Sequence, residues 1–223
     1  YNNRYLHWDK LRFLPKPAEL KEISHEEWWL GLKLARKFIV RPIPLKDTQG
    51  RPFMLGTPDP VQEKLHALDT RAGAVVCATE QGVNSSLRDQ YIIRSLTEEA
   101  ITSSQLEGAA TTREVAKQML RSGRAPRDTS ERMILNNYRA MEEIRQRKTE
   151  PLTPQMILGL HRILAQDTLD KPDAVGRLRR AEEPVRVEDM YGETLHTPPA
   201  ANQLEERMAL MCDFANGRIE GPF

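Results

Sequence analysis

The sequence predicts a mainly α protein with one or two β-hairpins. Helix-capping signatures precede apolar stripes of helical spacing along most of the 223 residues. Two other stretches, at about 41–56 and 185–199, combine short apolar runs with turn residues, which is typical of hairpins or extended connections. No internal repeat and no low-complexity segment is visible, so these local patterns decide the fold class.

The N-terminal part begins with a strong helix signal. Ser24 and Glu27 form a capping box, and Trp28 and Trp29 open an amphipathic helix, in which we expect core packing rather than a ligand cage. The proline-rich stretch 41–56 contains the turn sequence Asp-Thr-Gln-Gly at 47–50 and is expected to form an extended or hairpin-like connection. A further helix is expected from about 60 to 71, with a stop at Gly73.

The rest of the chain predicts five more helices and a hairpin. After a break rich in Ser, Asn and Gly near 82–86, a long helix runs to about Leu106, with Gly108 as its C-cap. Capping sequences at 111–114, 128–131 and 153–154 start the next three helices, and the last helix covers about 201–215. The first of these three ends at Gly123 and the second carries an apolar face made of Ile134, Tyr138, Met141 and Ile144.

Composition excludes some classes of protein. Lys and Arg number 33 against 32 Asp and Glu, a net charge of +1 that argues against a general polyanion binder. No apolar run is long enough to span a membrane. The two cysteines, Cys77 and Cys212, form no Cys-x-x-Cys motif, so a reducing, cytoplasmic location is expected. The chain begins at Tyr1, which leaves a short leader open, and its Gly-Pro-Phe end predicts that a folded part follows.

Several common catalytic motifs are missing from the sequence. It contains no dinucleotide-binding glycine fingerprint, no P-loop, no Gly-x-Ser-x-Gly elbow and no histidine pair with metal-ligand spacing. His161, in the middle of a helix, is interpreted as a hydrogen-bonded packing residue rather than a catalytic one. Arg177, Arg179 and Arg180 form a basic cluster, which is either a solvated loop or a clamp for phosphate or carboxylate.

The helix expected at about 86–107 ends in an unusual way. Ile93, Leu96 and Ala100 have the spacing of a packed face, and the same spacing continues through Ser103 to Glu107. A carboxylate in the last turn of a helix is disfavoured by the helix dipole by about 0.3–1 kcal/mol. Either the helix leaves the core here and Glu107 is solvated, or Glu107 meets a cation from another element.

The residues around Glu107 resemble the inhibitory motif of Fic-domain proteins. The sequence Thr-Ser-Ser-Gln-Leu-Glu-Gly at 102–108 is similar to the pattern [Ser/Thr]-x-x-x-Glu-[Gly/Asn], with Ser103, Glu107 and Gly108 in its fixed places. The stretch 152–161 resembles the opening of the Fic core helix. The sequence Ala-Val-Gly-Arg-Leu-Arg-Arg at 174–180 is similar to the Gly-x-x-Arg segment of the family, and 185–199 resembles its flap.

This resemblance implies a fold, a division into domains and a set of site residues. The fold is a Fic-type helical bundle with a small β-hairpin flap and an N-terminal helical extension, common in bacterial members, at 1–84. Residues 85–223 would hold the inhibitory helix (about 86–107) and an incomplete Fic core. Gly176 and Arg179 would be structural or lie near phosphate, and Ser103 would fix the inhibitory helix against the core. The flap that docks the target comprises Val185, Arg186, Val187, Thr194, Leu195 and His196.

The implied activity is self-inhibited transfer of AMP from ATP to a Ser, Thr or Tyr hydroxyl of a target protein. ATP and Mg²⁺ are the implied cofactors, and Glu107 would pair with the last arginine of the motif His-x-Phe-x-[Asp/Glu]-Gly-Asn-Gly-Arg-x-x-Arg. That motif is absent from these 223 residues. No catalytic residue or metal ligand is therefore assigned to the chain, which by itself is expected to be inactive.

Two other functions stay open at this point. The same scaffold can host an AMP-removing hydrolase, in which the same glutamate positions water. The chain could also be a helical regulator, which would contact nucleic acid only if a DNA-binding domain followed Phe223. The resemblance also leaves a homo-oligomer open, whereas no membrane partner is expected.

Overall fold

The computed structural model describes residues 5–80 and 85–221, which form eight α-helices and two two-stranded antiparallel sheets. The mainly α class expected from the sequence is confirmed, while the Fic-type arrangement stays a prediction. The chain divides into two compact units, residues Tyr1–Val83 with Glu220–Phe223, and residues Asn84–Ile219. This division lies next to the boundary at 84 expected from the sequence.

The first unit begins with two helices that contact each other, α1 (Trp8–Leu11) and α2 (His25–Arg36). The predicted capping box of α2 is confirmed: the Ser24 hydroxyl accepts the Glu27 N–H at 3.1 Å, and the Glu27 carboxylate accepts the Ser24 N–H at 2.7 Å. Trp28 is buried on the inner face of α2, as expected for a packing residue. Local capping and burial of Trp28 thus fix where α2 begins and which face it packs.

A β-hairpin follows α2, as the sequence predicted. Strands β1 (Val40–Lys46) and β2 (Pro52–Gly56) pair in antiparallel fashion. The carboxylate of Asp47 organises the turn, because it accepts the backbone N–H groups of Gln49 and Arg51 at 2.8 and 2.9 Å. Gly50 supplies the positive φ of 78° that the turn needs.

Helix α3 (Asp59–Glu80) corrects one prediction. The sequence suggested a stop at Gly73, but Gly73 lies inside the helix. A glycine in a helix interior costs about 1 kcal/mol relative to alanine, and it ends a helix only where the chain turns into a left-handed cap. The break expected near 82–86 falls partly on residues 81–84, outside the described residues; Ser85 and Ser86 are already helical.

The second unit contains the remaining helices and sheet. Its elements are α4 (Ser85–Leu106), α5 (Arg113–Ser122), α6 (Thr129–Gln146), α7 (Pro154–Ala165), β3 (Val187–Glu188), β4 (Thr194–His196) and α8 (Leu204–Ala215). The observed helix boundaries are close to the predicted ones, with two differences. The N-cap of α5 is Thr112 rather than Thr111, and residues Ala201–Gln203 form a separate 3-10 turn before α8. Gly123, at φ 66°, ends α5 as expected.

Helix α6 lies at the centre of this unit and contacts α4, α5 and α7. The shared core consists of Ile101 on α4, Ala109 in the following loop, Ala116 and Met119 on α5, and Ile134 on α6. The apolar face predicted for α6 leaves the core at its C-terminal end, where Ile144 is exposed. The core therefore occupies the N-terminal half of α6 and the C-terminal half of α4.

Side-chain amides join the other helices to this core. The buried Asn136 of α6 donates to the carbonyl oxygens of Leu164 and Gln166, at 3.1 and 2.7 Å, and so satisfies backbone acceptors at the end of α7. Asn216, at the end of α8, exchanges two hydrogen bonds of 2.8 Å with the backbone of Leu152 just before α7. These contacts fix α7 at both of its ends.

A buried ion pair fixes the start of α6. The Glu131 carboxylate accepts two bonds from the Arg124 guanidinium, at 2.7 and 2.6 Å, and one from the Arg127 N–H at 2.7 Å. Glu131 is also held by the N-cap Asp128, which accepts its N–H at 2.8 Å. The guanidinium of Arg124 in particular lowers the pKa of Glu131 from its ordinary 4.5 to about 2.

We expect the Arg124–Glu131 pair to make stability depend on pH. Because the pKa of Glu131 is lower in the folded state, its contribution is complete above pH 4.5 and is lost as the pH falls towards 2. Glu131→Gln should lower the free energy of unfolding by about 1.5–3 kcal/mol at pH 7, since it weakens a charge-assisted hydrogen bond. The loss should shrink at pH 3.

Urea denaturation followed by circular dichroism at the two pH values measures this difference. Glu99→Gln on the exposed side of α4 is the matched control and should change stability little. An equal loss for Glu131→Gln at both pH values would contradict the ionic origin of the effect.

Candidate functional site

The first candidate site is the end of helix α4, where the sequence placed Ser103, Glu107 and Gly108. Gly108 has φ +98°, the left-handed conformation of a helix-ending glycine. The Gly108 N–H donates to the Gln105 carbonyl at 3.1 Å, and the Ala109 N–H donates to the Ser104 carbonyl at 2.9 Å. This pair of bonds is a Schellman motif, so Gly108 ends α4 as the sequence predicted.

The buried face of α4 differs from the expected one. Ala100 is buried as predicted, but its buried neighbours are Ile101 and Ser104. Ile93 is 45% exposed, and Glu107 is exposed as well. The expected face is therefore covered only in part: Leu96 and Ser103 are half-buried, while the buried neighbours of Ala100 lie one position further along the helix. The exposure of Glu107 fits the solvated alternative.

Helix α6 and its first turn hold the end of α4 through polar contacts. Asn137 donates to the Ser104 hydroxyl at 3.3 Å and to the Ala100 carbonyl at 3.5 Å. The Ser130 hydroxyl accepts the Ala110 N–H at 3.1 Å, just after the Schellman motif. The sequence expected Ser103 to fix this helix, but Ser103 is only half-buried, and the buried contact belongs to its neighbour Ser104.

The Glu107 side chain at this fixed end has no partner in the described part of the chain. Its carboxylate makes no hydrogen bond or ion pair with any residue that the structure describes. An exposed carboxylate at the C-terminal end of a helix is held near the negative end of the helix dipole. Within the described residues, the structure therefore presents Glu107 as an available acceptor and supplies no cation for it.

An ion-pair group between α4 and α5 was not predicted from the sequence. The Glu98 carboxylate pairs with both Arg113 and Lys117 of α5. Both cations lower the pKa of Glu98, and the hydrogen bond from Lys117 has the larger effect. No local pattern could have found the group, because its members lie on different helices and the pairing depends on how α4 packs on α5.

The second candidate site is the loop between α7 and the β3–β4 hairpin, which carries Gly176 and Arg179. Gly176 has φ +72°, and its N–H donates to Nδ1 of His161 at 3.1 Å. A Cβ at Gly176 would lie 3.0 Å from Cβ of Arg162 and 2.8 Å from its Nε. Both the conformation and the space thus require glycine here, and His161 is the hydrogen-bonded residue that the sequence suggested.

The basic cluster in this loop binds carboxylates and backbone from the same loop. Arg177 donates to both carboxylate oxygens of Glu183 at 2.8 Å and to Asp173 at 2.9 Å. The Arg177 guanidinium, with the Arg180 N–H, lowers the pKa of Glu183 to about 2. Of the two interpretations, a solvated loop or an anion clamp, the structure favours a carboxylate clamp whose carboxylates are internal.

Arg179 connects the two ends of the hairpin segment. Its guanidinium donates to the carbonyl oxygen of Pro199, which lies just beyond β4. One of its donors is therefore used by the backbone rather than left for phosphate. Together, Arg177 and Arg179 fix the start and the end of the segment that carries the hairpin.

The hairpin itself is shorter than expected. Strand β3 begins at Val187, so Val185 and Arg186 precede it, whereas Thr194, Leu195 and His196 form β4 as predicted. Val187 pairs with His196, and beyond His196 the chain soon reaches Pro198 and Pro199, which have no N–H to donate. The ladder therefore cannot extend back to Val185. All six predicted flap residues are exposed.

The structure does not gather the predicted residues into one pocket. Ser103, Glu107 and Gly108 share the end of α4, while Gly176 and Arg179 share the loop that supports the hairpin. No hydrogen bond or ion pair between described residues joins these groups.

In residues 5–80 and 85–221 no cluster of His, Cys, Asp and Glu could hold a metal ion. Cys212 is buried, which raises its pKa, and the side chain of Cys77 lies outside the described part.

The helices in the described part of the chain were also compared with the length and hydropathy that a membrane span needs. None of them is long and apolar enough to cross a bilayer.

Two glycine-to-alanine substitutions test the helix end directly. Gly108→Ala should lower the free energy of unfolding by about 1–2 kcal/mol, because φ +98° is strained for alanine although its Cβ would meet no atom within 4 Å. Gly159→Ala, in the interior of α7 and also without a neighbour within 4 Å, is the matched control and should raise it by about 0.5–1 kcal/mol. Urea denaturation measures both changes; a stabilising Gly108→Ala would contradict the left-handed cap.

Comparison with known proteins assigns no family or function to the chain. No family model, no curated protein and no solved structure that was compared with the chain matches it. The function of the chain is therefore inferred from its own motifs and contacts.

Proposed function

We propose that this chain belongs to a self-inhibited protein adenylyltransferase of the Fic type, in which α4 is the inhibitory helix. The observation that carries the proposal is the carboxylate of Glu107 at the fixed end of α4, which has no partner among the residues that the structure describes. It is preceded by Ser103 and followed by Gly108, in the pattern of the inhibitory motif. A supporting observation is the exposed hairpin, which corresponds in position to the flap.

The position of Glu107 explains how such a brake would work. A carboxylate near the negative end of a helix dipole gains more from a cation than one in a neutral setting. In the proposed enzyme that cation is the last arginine of the catalytic motif. While Glu107 holds this arginine, the arginine cannot hold the γ-phosphate of ATP, and the carboxylate repels that phosphate. ATP then binds with its α-phosphate misplaced for attack.

The inhibited reaction is transfer of an adenylyl group. The oxygen of a target hydroxyl forms a bond to the α-phosphorus of ATP, and the bond from that phosphorus to the bridging oxygen of the diphosphate breaks. The hydroxyl proton goes to a general base, and diphosphate leaves. A positional error of about 1 Å can reduce such a rate about a hundredfold, so Glu107 needs only to misalign the phosphates.

The proposal assigns no base and no magnesium ligand to this chain. Mg²⁺ would stabilise the charge of the leaving diphosphate, but the described residues offer no set of ligands for it. The contribution of these 223 residues is therefore regulatory and structural. Helix α4 presents Glu107, and the loop with Gly176 and Arg179 supports the hairpin that would dock the target.

Substitution of Glu107 in the complete protein tests the proposal. Glu107→Gly removes the carboxylate, so transfer of labelled AMP from ATP to the protein itself or to a target should rise by about an order of magnitude or more. Glu107→Gln retains the shape without the charge and should release the enzyme in part. The melting temperature should change little, because glycine in the last turn costs at most about 1 kcal/mol.

Two controls make this experiment specific. Leu106→Gly places a glycine in the same last turn at a residue that is 88% exposed, but retains the carboxylate, and should not activate. The 223-residue chain alone should transfer no AMP. If Glu107→Gly abolishes removal of AMP from a modified protein, the hydrolase function is correct instead. If neither activity changes, Glu107 is simply a solvated helix end and the brake is wrong.

A further inference from the structure

The turn of the β3–β4 hairpin is ordered by one carboxylate. Oδ1 of Asp189 accepts the Tyr191 N–H at 2.8 Å and the Glu193 N–H at 2.9 Å. The Asp189 backbone adds two more bonds: its carbonyl accepts the Gly192 N–H, and its N–H donates to the Glu193 carbonyl. Gly192 supplies the positive φ of 82° that this turn needs. The tip of the hairpin is therefore a defined structure.

This ordered turn holds large apolar side chains in solvent. Met190 is 86% exposed and Tyr191 is 85% exposed, and Leu195 on β4 is 65% exposed. A single exposed apolar residue is ordinary, but three on one short hairpin form a surface that favours contact with another chain.

The backbone of the hairpin is also available for pairing. Strands β3 and β4 form a sheet of only two strands among the described residues, so each strand has one edge without a neighbouring strand. An extended segment can add to such an edge through main-chain hydrogen bonds, which are independent of its sequence. Selectivity for a segment must then come from the side chains around the edge.

The charges around this edge are mainly negative. Glu188 and Glu193 flank the turn, and neither forms an ion pair with a described residue. Arg186 is the only Lys or Arg between 185 and 196. In the preceding loop, Arg177 and Arg180 pair with carboxylates of that loop, and Arg179 donates to the Pro199 carbonyl beyond β4, so Arg179 is the loop cation that adds positive charge at the base of the hairpin rather than at its turn. A partner with positive side chains beside apolar ones would complement this surface in both charge and apolar character.

We propose that the hairpin binds an extended protein segment in which Lys or Arg side chains flank apolar residues. This inference rests on the proposed function, for which it names the substrate class: the target hydroxyl would lie in a basic, apolar strand-like segment. The free edge holds the segment in register, Met190 and Tyr191 contact its apolar side chains, and Glu188 and Glu193 favour its cations.

Two synthetic peptides with opposite charges at the same two positions test the inference. Gly-Lys-Val-Thr-Val-Lys-Gly and Gly-Glu-Val-Thr-Val-Glu-Gly are titrated into the complete protein without ATP, and fluorescence anisotropy of a dye on each peptide gives its affinity. The lysine peptide should bind about tenfold or more tightly than the glutamate peptide at low salt, and high salt should reduce this ratio. Equal affinities, or tighter binding of the glutamate peptide, would overturn the inference.

Matched variants locate the effect on the hairpin. The double variant Glu188→Gln with Glu193→Gln should remove the preference for lysine, whereas Glu99→Gln with Glu182→Gln removes two exposed charges elsewhere and should retain it. Tyr191→Ala should weaken binding of the lysine peptide without reversing the preference. A preference that survives in the hairpin double variant would place the binding surface elsewhere and contradict the proposal.

The outcome is separable from that of the proposed function. Because the peptides are bound without ATP, charge-selective binding can be observed in a protein that transfers no AMP, and in that case only the transferase function fails. A complete protein that transfers AMP but binds both peptides equally would overturn only this inference.

Discussion

Helix α6 is the constraint on which the second unit depends, because neighbouring side chains on it hold different helices. Asn136 satisfies the last carbonyl groups of α7, and Asn137 reaches Ser104 on α4. Arg124 and Glu131 fix the point at which α6 begins. A buried amide or carboxylate that loses its partner is costly, so each of these contacts specifies one arrangement of helices rather than merely adding apolar burial.

This arrangement decides how the end of α4 is presented. Ile101 and Ser104 are buried against α5 and α6, and the backbone after Gly108 is held by Ser130. Glu107 therefore projects from a fixed helix end rather than from a frayed one. In the proposed function this matters, because a brake that must hold one guanidinium needs a carboxylate whose position is determined before the guanidinium arrives.

The sequence could predict what is encoded by neighbouring residues. The caps made by Ser24, Asp128 and Thr153 and the left-handed Gly108 were all correct, because a helix end is formed by side chains within a few positions. The buried stripe of α4 was predicted only in part, because Ile101 and Ser104 are buried beside Ala100 and this choice depends on which helices cover α4. The contacts of Arg177 with Asp173 and Glu183 were left as one of two alternatives. The same sequence pattern fits a basic cluster that is exposed to solvent and one whose arginines are paired with carboxylates.

Helix α6 is expected to hold the C-terminal end of α4 as part of one cooperative unit. Native-state hydrogen exchange of the backbone amides measures whether the two helices open together. Slow amides in residues 101–106 should exchange with the same opening free energy as those of α6 around Ile134, because both need the core to open. Exchange in 101–106 that is about a hundredfold faster than in α6 would show that the end of α4 opens by itself, and would contradict this expectation.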